Sequence, residues 1–532
     1  MDSALSVLAE ASAPRSEHTA GGLPRWQTLA VLGMITAAGL ALRLASVELA
    51  PDSRLRGLST LAKDSYWWDE GWSLRYASLP VAQMIGEASR QDSNSPLYYA
   101  LLHFWVRAFG DSESTTRLLS ALLSAASIPL VYAVGRLLMG RRAALLSAVL
   151  LATAGIHVQY GQETRAYALL GLSSLLSMYA FLKLLRSRSW EASIAYILAT
   201  VLMIYSHPYG LFLALAQNLY VFGHAYFSSE PSPSHGATRQ WVVLQGLIGI
   251  LMIPYGAYLT QREGLSAFAR EIAHLDPPNL ATPINILRSY AWSRPGAVVL
   301  GLLAAVGLIQ FARQGSVRIR ETEVATDIPY VGAPVILALW LLVPTVVPVV
   351  ISAVVRAAFF PRYTIGAAIA FYMVVAVALD RLSNRRWVFA GLALLVLFLN
   401  LFGVYKFYIG DTKGRWRHAM QYVGNHAKAG DLVLFTDDPG LRNLGAHYLR
   451  RQDLIRASLA EDVTDLDANR LAARLAIADP FARVWLVVCW KGLTQSREVV
   501  LHMNERFGSP STVPVVDPLL QVLLYERIGL EP

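Results

Sequence analysis

Two adjacent carboxylates, Asp69 and Glu70, are the residues of this 532-residue sequence best suited to chemistry. They lie among three tryptophans in residues 66–72 (YWWDEGW), in the first polar segment after the first long apolar run. A carboxylate pair in such a place suggests a reaction at the membrane surface. The alternative is a solvated loop with interfacial aromatic residues, because tryptophan is common at bilayer interfaces.

The composition is typical of a membrane protein. Hydrophobic residues make up 55% of the chain and charged residues 16%, whereas charged residues are roughly 25% of soluble domains. The net charge of +9 comes from basic residues that cluster in short loops, which indicates membrane topology and no nucleic-acid partner. We therefore expect a multi-pass α-helical membrane protein.

Apolar runs long enough to cross a bilayer, about 20 residues each, recur as far as residue 409. We predict eleven spans, of which the third is short and the fifth and sixth are joined by a tight turn. They cover residues 26–50, 116–139, 142–157, 165–185, 191–207, 209–227, 241–261, 296–313, 331–354, 364–380 and 387–409.

The loops between these spans support the count. With the N-terminus in the cytoplasm, all five inside loops are basic, in agreement with the positive-inside rule. The outside segments carry polar motifs at residues 94–96 (NSP), 162–165 (QETR), 206–210 (SHPYG) and 360–363 (FPRY). The inside loops have no comparable residues and no glycine-rich phosphate loop. The sequence predicts chemistry on the outer face of the inner or plasma membrane.

The first outside loop, residues 51–115, is long enough to be functional. Ser95 and Pro96 suit a helix start and Gly110 suits a helix end. The roughly fourteen residues between them are too few to span a bilayer. We expect this helix, and a shorter one near residues 78–90, to lie in the membrane interface over the outer end of the bundle.

Arginines cluster on the same face. Arg117, Arg165 and Arg362 each stand at the outside end of a predicted span. Charges at this depth are commonly functional or paired, the alternative being snorkelling to phospholipid headgroups. Three of them beside the carboxylates favour an anion site, because guanidinium donors suit phosphate. Tyr363 and Tyr209 are expected to add hydroxyl donors.

Further candidates for a substrate pocket are polar or aromatic residues of the outside segments. His103 is the weakest, because a lone histidine on an interfacial helix more often serves packing. The candidates are Trp68, Tyr98, Tyr99, His103, Glu163, His207 and Tyr209.

With these motifs, the chain resembles the membrane-embedded (GT-C class) glycosyltransferases that depend on lipid-phosphate sugars. It is most similar to the protein O-mannosyltransferase-like and aminoarabinose-transferase-like families (glycosyltransferase family 39). The resemblance covers residues 30–410, and the lysine found in some family members has no counterpart in residues 92–95. It depends on DE at 69–70, SPLYY at 95–99, FGDSE at 109–113, RL at 117–118, QETRAY at 162–167, SHPY at 206–209 and PRY at 361–363.

The resemblance implies a mechanism. A polyprenyl-phosphate sugar presents its anomeric carbon at the outer end of the bundle, and Asp69 acts as general base on an acceptor hydroxyl, which inverts the anomeric centre. Such a base typically contributes roughly 10²–10⁴-fold to the rate. Arg165 and Arg362 offset the charge of the leaving phosphate, while Glu70 orients the acceptor or tunes Asp69.

The same resemblance implies the partners: the donor is a membrane lipid, and the acceptor is a glycan, a lipid or a protein. A divalent metal at the acidic pair stays open, but no histidine or third carboxylate is spaced to complete its site, so no metal cofactor is predicted. The sequence specifies neither the sugar, nor the acceptor, nor the oligomeric state.

Residues 410–532 have a soluble composition in which helix and strand patterns alternate, which predicts a small α/β domain outside the membrane. Acceptor binding, shielding of the site and structural packing remain open as its role. The predicted domains are a cytoplasmic tail at 1–25, a transmembrane domain at 26–409 and this α/β domain. Strands are expected at 431–436, 484–490 and 519–526.

Two other classes of function remain open. A transporter or flippase of lipid-linked sugars predicts charges near the bilayer centre, broken helices and inverted repeats. The charges here lie mainly at span ends, with Arg43 as the exception, and no repeat is clear. The second alternative is a non-catalytic lipid-binding or assembly protein.

Overall fold

The chain is helical up to residue 409 and forms an α/β arrangement beyond it, in the parts that the structure, a computed structural model, describes. Those parts are residues 24–45, 65–91, 96–227, 235–260, 277–313, 332–354, 359–409, 413, 415–436, 439–459, 468–489, 493–513 and 520–527.

The helices of the first part are joined mostly by short turns, as is usual for an antiparallel bundle. They are α1 (Arg25–Leu44), α2 (Trp68–Ser78), α3 (Val81–Gln91), α4 (Leu97–Phe109), α5 (Glu113–Leu138), α6 (Arg141–Thr153), α7 (Gly155–Tyr160), α8 (Tyr167–Ser187), α9 (Trp190–Ser206), α10 (Gly210–Phe227), α11 (His235–Leu251), α12 (Ile253–Thr260), α13 (Thr282–Ala291), α14 (Arg294–Ala312), α15 (Ala333–Val354), α16 (Ile365–Arg381) and α17 (Arg386–Ile409), with a 3₁₀ turn at Pro361–Thr364.

Six helices of the described chain are long and apolar enough to cross a membrane, and the number rises to eight if each of two bent pairs is one span. The bent pairs are α11 with α12, at 41°, and α13 with α14, at 98°. The prediction of a multi-pass membrane protein is confirmed. The count of eleven is not confirmed, because several of the predicted spans are short or broken helices.

The break after α6 shows how a buried charge is accommodated. α6 and α7 are separated by Ala154. Arg43, fully buried on α1, donates hydrogen bonds to the carbonyl oxygens of Leu151 and Ala152 at 3.3 and 3.0 Å, and to Ser124 Oγ at 2.7 Å. Carbonyl groups at a helix end lack partners within the helix. Arg43 therefore supplies the missing hydrogen-bond donors at the C-terminal end of α6.

The segment after the first span is more helical than the sequence indicated. Asp69 and Glu70 lie on the first turn of α2, whereas the sequence analysis placed them in a loop. The Glu70 side chain accepts a hydrogen bond from the backbone N–H of Trp67 at 3.3 Å. Such a bond from the third helical residue back to the cap stabilises a helix start. The aromatic segment thus begins a helix that fixes both carboxylates.

The helix predicted near residues 96–110 is present as α4. Gly110 ends it with a φ of 94°, a conformation that glycine adopts without strain. Ser95, the predicted N-cap, lies outside the described residues. Helix α3 corresponds to the shorter helix predicted near 78–90.

The chain beyond α17 contains a mixed sheet of five strands in the order β2-β1-β3-β5-β4. β2, β1 and β3 are parallel, while β5 pairs antiparallel with β3 and β4. The short strands β2 and β4 are additional to the three strands predicted from the sequence. The elements are α18 (Trp416–His426), β1 (Leu432–Phe435), α19 (Pro439–Tyr448), β2 (Ile455–Ser458), α20 (Ala468–Leu475), β3 (Arg483–Cys489), α21 (Leu493–Phe507), β4 (Ser511–Thr512) and β5 (Leu520–Glu526).

Helices cover both faces of this sheet. Successive strand residues point to opposite faces, so Val433 and Trp485 pack against α18 and α19, whereas Leu434 and Leu486 pack against α20 and α21. Tyr66, which precedes α2 in the chain, is fully buried in the first of these clusters. The sheet region is therefore packed directly against the segment that carries the two carboxylates.

Candidate active site

Asp69 faces an arginine across a partly open niche. Asp69 Oδ2 lies 3.4 Å from Arg362 Nη2, and the two side chains are 22% and 20% exposed. Helix α2 supplies the carboxylate and the 3₁₀ turn supplies the guanidinium. Two segments almost 300 residues apart in sequence therefore meet, and about one-fifth of each side chain remains exposed.

Aromatic rings surround the Arg362 guanidinium. Its central carbon lies 4.3 Å from the ring centroid of Phe360, 5.7 Å from that of Trp67 and 5.8 Å from that of Tyr167. Rings at this distance attract a cation and exclude water. An electrostatic interaction with a ligand is stronger here than at an open surface.

Three buried polar atoms around the niche accept or donate no hydrogen bond within the described structure: Asp69 Oδ2, Arg362 Nε and Glu163 Oε2. Buried polar atoms are nearly always paired in native proteins, so each exception needs a reason. One acceptor on Asp69, one donor on Arg362 and one further carboxyl oxygen together suit a ligand that carries both hydroxyl and phosphate oxygens.

Glu163 stands in the tight turn between α7 and α8. Its Oε1 accepts a hydrogen bond from Gln159 Nε2 at 3.2 Å, and its side chain is buried. Burial raises the pKa of Glu163 to about 7, with the nearby carboxylates of Glu70 and Asp69 adding to the effect and Lys413 and Arg362 opposing it. A carboxyl group with this pKa is partly protonated near neutral pH and can donate as well as accept a hydrogen bond.

Glu70, adjacent to Asp69 in sequence, has the opposite surroundings. It is fully buried and accepts five hydrogen bonds. Two come from Arg117 at 2.8 and 2.9 Å, one from Lys413 Nζ at 3.0 Å, one from the Thr164 backbone at 2.9 Å and one from the Trp67 backbone at 3.3 Å. Its lone pairs are therefore occupied, which favours a structural role.

These partners also fix the charge of Glu70. Burial alone would raise the pKa of this carboxyl, but the positive charges of Arg117 and Lys413 lower it to about 2. Arg117 is predicted from sequence as a phosphate ligand. Its guanidinium donates two hydrogen bonds to Glu70 and a third to the carbonyl oxygen of Ser65 at 3.1 Å. This geometry favours an anchoring role for Arg117 over the predicted phosphate contact.

Arg165 positions the backbone of α2. Its Nη1 donates to the carbonyl oxygen of Asp69 at 3.0 Å, to Tyr99 Oη at 3.2 Å and to Ser73 Oγ at 3.4 Å. The side chain is buried. Arg165 thus binds the backbone of Asp69, whereas Arg362 contacts the Asp69 carboxylate.

Three predicted pocket residues lie in the packing of α4 and its neighbours. Tyr98 Oη shares a hydrogen bond of 2.8 Å with Ser120 Oγ, and Tyr99 receives the bond from Arg165. His103 Nδ1 lies 2.8 Å from the carbonyl oxygen of Ala77 and joins α4 to α2. Their partners hold the interfacial helices together.

The remaining predicted residues divide between the niche and the sheet region. His207, Tyr209 and Tyr363 form a cluster of rings with centroids 4.9 to 5.6 Å apart, and Tyr167 joins it. His207 is buried, and its Nδ1 accepts a hydrogen bond from the backbone N–H of Tyr209 at 3.2 Å. Trp68 packs instead in the cluster of the sheet region.

Sequence reasoning missed Lys413 and Thr164, both of which bind Glu70. The available signal was the position of Lys413, the first lysine beyond the last predicted span and on its outer side. Thr164 contributes a backbone N–H, for which side-chain identity gives no signal. No group of three or more His, Cys, Asp or Glu is placed to hold a metal ion in the part of the chain that the structure describes.

The sheet region is tied to this site by polar contacts as well. Tyr448 Oη accepts from the backbone N–H of Tyr66 at 2.7 Å and donates to Glu113 Oε1 at 2.7 Å. Arg417 donates to the same Glu113 at 2.6 Å. Tyr66 Oη in turn lies 2.6 Å from Thr116 Oγ1. The start of α2 is therefore held from both the bundle and the sheet region.

Comparisons with known proteins place this geometry in context. Residues 93–254 match the family model described as dolichyl-phosphate-mannose-protein mannosyltransferase. A comparison with curated protein sequences gave no match.

Solved structures share the fold. One is ArnT from Cupriavidus metallidurans bound to undecaprenyl phosphate, with 13% identity, a TM-score of 0.59 and coverage of 93% of this chain and 97% of that chain. Another is the oligosaccharyltransferase AglB from Archaeoglobus fulgidus in complex with an inhibitory peptide and a dolichol-phosphate, with 12% identity, a TM-score of 0.52 and coverage of 92% and 73%. The family match and the shared fold confirm the resemblance seen in the sequence, to GT-C membrane glycosyltransferases of the protein-mannosyltransferase and ArnT type.

Proposed function

We propose that this protein transfers a sugar from a polyprenyl-phosphate donor to an acceptor hydroxyl at the outer face of the membrane. The observation that carries the proposal is the ion pair of Asp69 and Arg362 in an aromatic niche, a long contact of 3.4 Å beside which Arg362 Nε has no hydrogen-bond partner in the described structure. The family match supports a glycosyltransferase. A polyprenyl phosphate fits because ArnT and AglB are named with lipid phosphates bound.

The proposed reaction uses both partners. Asp69 accepts the proton of the acceptor hydroxyl while its oxygen attacks the anomeric carbon of the sugar. The bond from that carbon to the phosphate oxygen breaks, its electron pair leaves with the polyprenyl phosphate, and the anomeric centre is inverted. Arg362 moves its interaction from Asp69 to the phosphate as negative charge develops there, and such electrostatic stabilisation is often the largest contribution to catalysis.

Other groups have supporting roles in the proposal. Glu163 uses its unpaired carboxyl oxygen to bind a sugar hydroxyl, and Tyr363 and Tyr209 line the donor side. Arg165 and Glu70 act through α2 and hold the Asp69 backbone in place. The acceptor is a glycan, lipid or protein.

The proposed topology follows the sequence. The basic loops put the N-terminus in the cytoplasm, and eleven spans across the inner or plasma membrane then put residues 410–532 outside. The contacts that join Lys413 to Glu70, and Tyr448 to Tyr66, support a location of the sheet region on the same side as the niche.

The test compares purified wild-type protein with Asp69→Asn. Mass spectrometry of the co-purifying lipid extract first identifies the donor, and release of polyprenyl phosphate from that donor then reports turnover. We expect Asp69→Asn to lose roughly 10²–10⁴-fold in rate and to keep the donor lipid bound. The matched control is Asp453→Asn, a substitution on the surface of the sheet region that should leave turnover unchanged.

Wild-type turnover by Asp69→Asn would refute the assignment of the base. Movement of the donor lipid across a vesicle membrane without sugar transfer would support the transporter alternative and refute the proposed function as a whole.

A further inference from the structure

A cavity of about 570 Å³ opens between the bent pair α13–α14 and the end of α17. Its lining includes three basic residues, Arg288, Arg294 and Lys406. Trp292 and Phe402 form its apolar walls. The cavity is distinct from the niche of Asp69, since none of its lining residues belongs to that niche.

The charge of this cavity is uncompensated within the described residues. Arg288, Arg294 and Lys406 are exposed, and none of them forms an ion pair there. No aspartate or glutamate lines the cavity. Like charges that converge on one concave site repel one another, so a bound anion would relieve the repulsion.

Contacts place the cavity at the same end of the bundle as Asp69. Tyr290, at the end of α13, hydrogen-bonds Thr364 Oγ1 at 2.7 Å in the 3₁₀ turn that carries Arg362. Lys406 lies near the end of α17, only seven residues before the Lys413 that binds Glu70. The cavity is therefore at the end of the spanning helices, where lipid headgroups lie.

Two apolar stripes run from the cavity along the exposed surface of the bundle. On α14, Val298 and Leu302 follow Arg294 at intervals of four residues and are 56% and 64% exposed. Residues four apart share one face of a helix. The stripe therefore continues directly from the basic residue towards the membrane interior.

The second stripe lies on the neighbouring helix. On α17, Phe402, Phe398 and Leu394 precede Lys406 at the same interval and are 41%, 62% and 66% exposed. α14 and α17 contact each other. A basic cavity with two apolar stripes below it matches an amphiphile that has an anionic head and hydrocarbon chains.

We propose that this cavity binds the phosphate headgroup of an anionic membrane lipid, with its hydrocarbon chains along the stripes of α14 and α17. The proposal is independent of the glycosyl-transfer reaction. Its chemistry is shared by anionic phospholipids and polyprenyl phosphates, which the experiment separates.

The experiment measures lipid binding by native mass spectrometry of the full-length protein in detergent. Phosphatidylglycerol, phosphatidylcholine and undecaprenyl phosphate are added separately to wild-type protein and to the triple variant Arg288→Gln/Arg294→Gln/Lys406→Gln. We expect phosphatidylglycerol to bind at least about tenfold more tightly than phosphatidylcholine, and the triple variant to lose on the order of 100-fold in this affinity, about fivefold for each basic residue.

The matched control is Arg381→Gln/Arg385→Gln/Arg386→Gln, three exposed arginines at the turn between α16 and α17, far from the cavity along α17, which should bind phosphatidylglycerol like the wild type. Displacement of phosphatidylglycerol by undecaprenyl phosphate assigns the site to lipid phosphates in general, and failure to displace it assigns the site to phospholipids.

Two results would overturn the proposal. The first is equal affinity of wild type and triple variant for phosphatidylglycerol, with both proteins folded by their melting temperature. The second is displacement by inorganic phosphate at the concentration at which undecaprenyl phosphate acts, since the apolar stripes would then contribute nothing.

Discussion

Asp69 and Glu70 are neighbours in sequence but stand in two different kinds of surroundings. The anchor cluster of Glu70, Arg117 and Lys413 is buried, and the five hydrogen bonds to Glu70 leave it no free acceptor. The catalytic niche of Asp69 and Arg362 is partly exposed, and Arg362 Nε and the nearby Glu163 Oε2 have no hydrogen-bond partner in the described structure. A helix turns by about 100° per residue, so adjacent side chains on α2 face different regions. One carboxylate holds the helix while the other is available for chemistry.

Removal of Glu70 should have the largest effect on stability. Glu70→Ala leaves Arg117 and Lys413 buried without their counter-charge, and breaking a buried ion pair in this way costs about 3–5 kcal/mol. Asp69→Ala should lower stability less, because Asp69 makes a single long contact of 3.4 Å to Arg362 and both side chains stay about one-fifth exposed. Thermal unfolding of both variants in detergent measures the contrast, and equal shifts in melting temperature would show that the two regions do not differ.

Arg362 should matter for rate more than for folding. Arg362→Gln removes the donor proposed to stabilise the leaving phosphate, and we expect about a 10²–10³-fold loss in kcat. The matched control is Arg75→Gln. Arg75 lies near the C-terminal end of α2 and forms an exposed salt bridge with Glu87 of α3. A loss of kcat no larger than that of the control would remove Arg362 from the mechanism.

Lys413 links the anchor cluster to the chain beyond the last span. Lys413→Met removes one charged hydrogen bond to Glu70, which we expect to lower the free energy of unfolding by roughly 1.5–3 kcal/mol. Lys413 does not contact Asp69, so activity should fall only if the loss of this bond displaces α2. If Lys413→Met were as stable as the wild type, Arg117 alone would hold Glu70.

The contributions of the two buried glutamates to folding stability should respond to pH in opposite directions. The pKa of Glu70 lies near 2 instead of 4.5, so its contribution to stability is complete above pH 4.5 and is lost as the pH falls towards 2. The pKa of Glu163 lies near 7 instead of 4.5. The folded protein therefore holds a proton that the unfolded chain loses, and stability falls as the pH rises from 4.5 to 7.

Melting temperatures of wild type and Glu163→Gln across pH 4.5–7 test this difference. The wild type should lose stability relative to the variant as the pH rises. Parallel curves would mean that Glu163 is ionised throughout this range and does not donate a hydrogen bond in the niche.

The smallest effect is expected at the contact with the sheet region. Tyr448→Phe removes a hydroxyl that joins the Tyr66 backbone to Glu113, and one such hydrogen bond is worth about 0.5–1.5 kcal/mol. Tyr422→Phe, on the neighbouring helix α18, is the control. A melting temperature unchanged in Tyr448→Phe alone would show that apolar packing of Tyr66 is sufficient to dock the sheet region.

The sequence predicted the membrane class, the helix α4 with its end at Gly110, and the family resemblance. Each follows from local information, namely apolar runs, capping residues and short motifs. The eleven-span count is not confirmed, because breaks such as that at Ala154 depend on a distant partner, here Arg43 on α1. The helical start of α2 was missed for a similar reason, since charged partners from α5 and from beyond α17 stabilise it.

The sequence by itself determined which residue types are available: two carboxylates, several arginines and many aromatic rings in polar segments between apolar runs. Only the tertiary structure decided how they are divided. Arg117 was brought to Glu70, Arg165 to the backbone of Asp69 and Arg362 to its carboxylate. Burial and pairing depend on contacts between segments far apart in the chain, and those contacts decide whether a charge anchors a helix or remains free to bind a substrate.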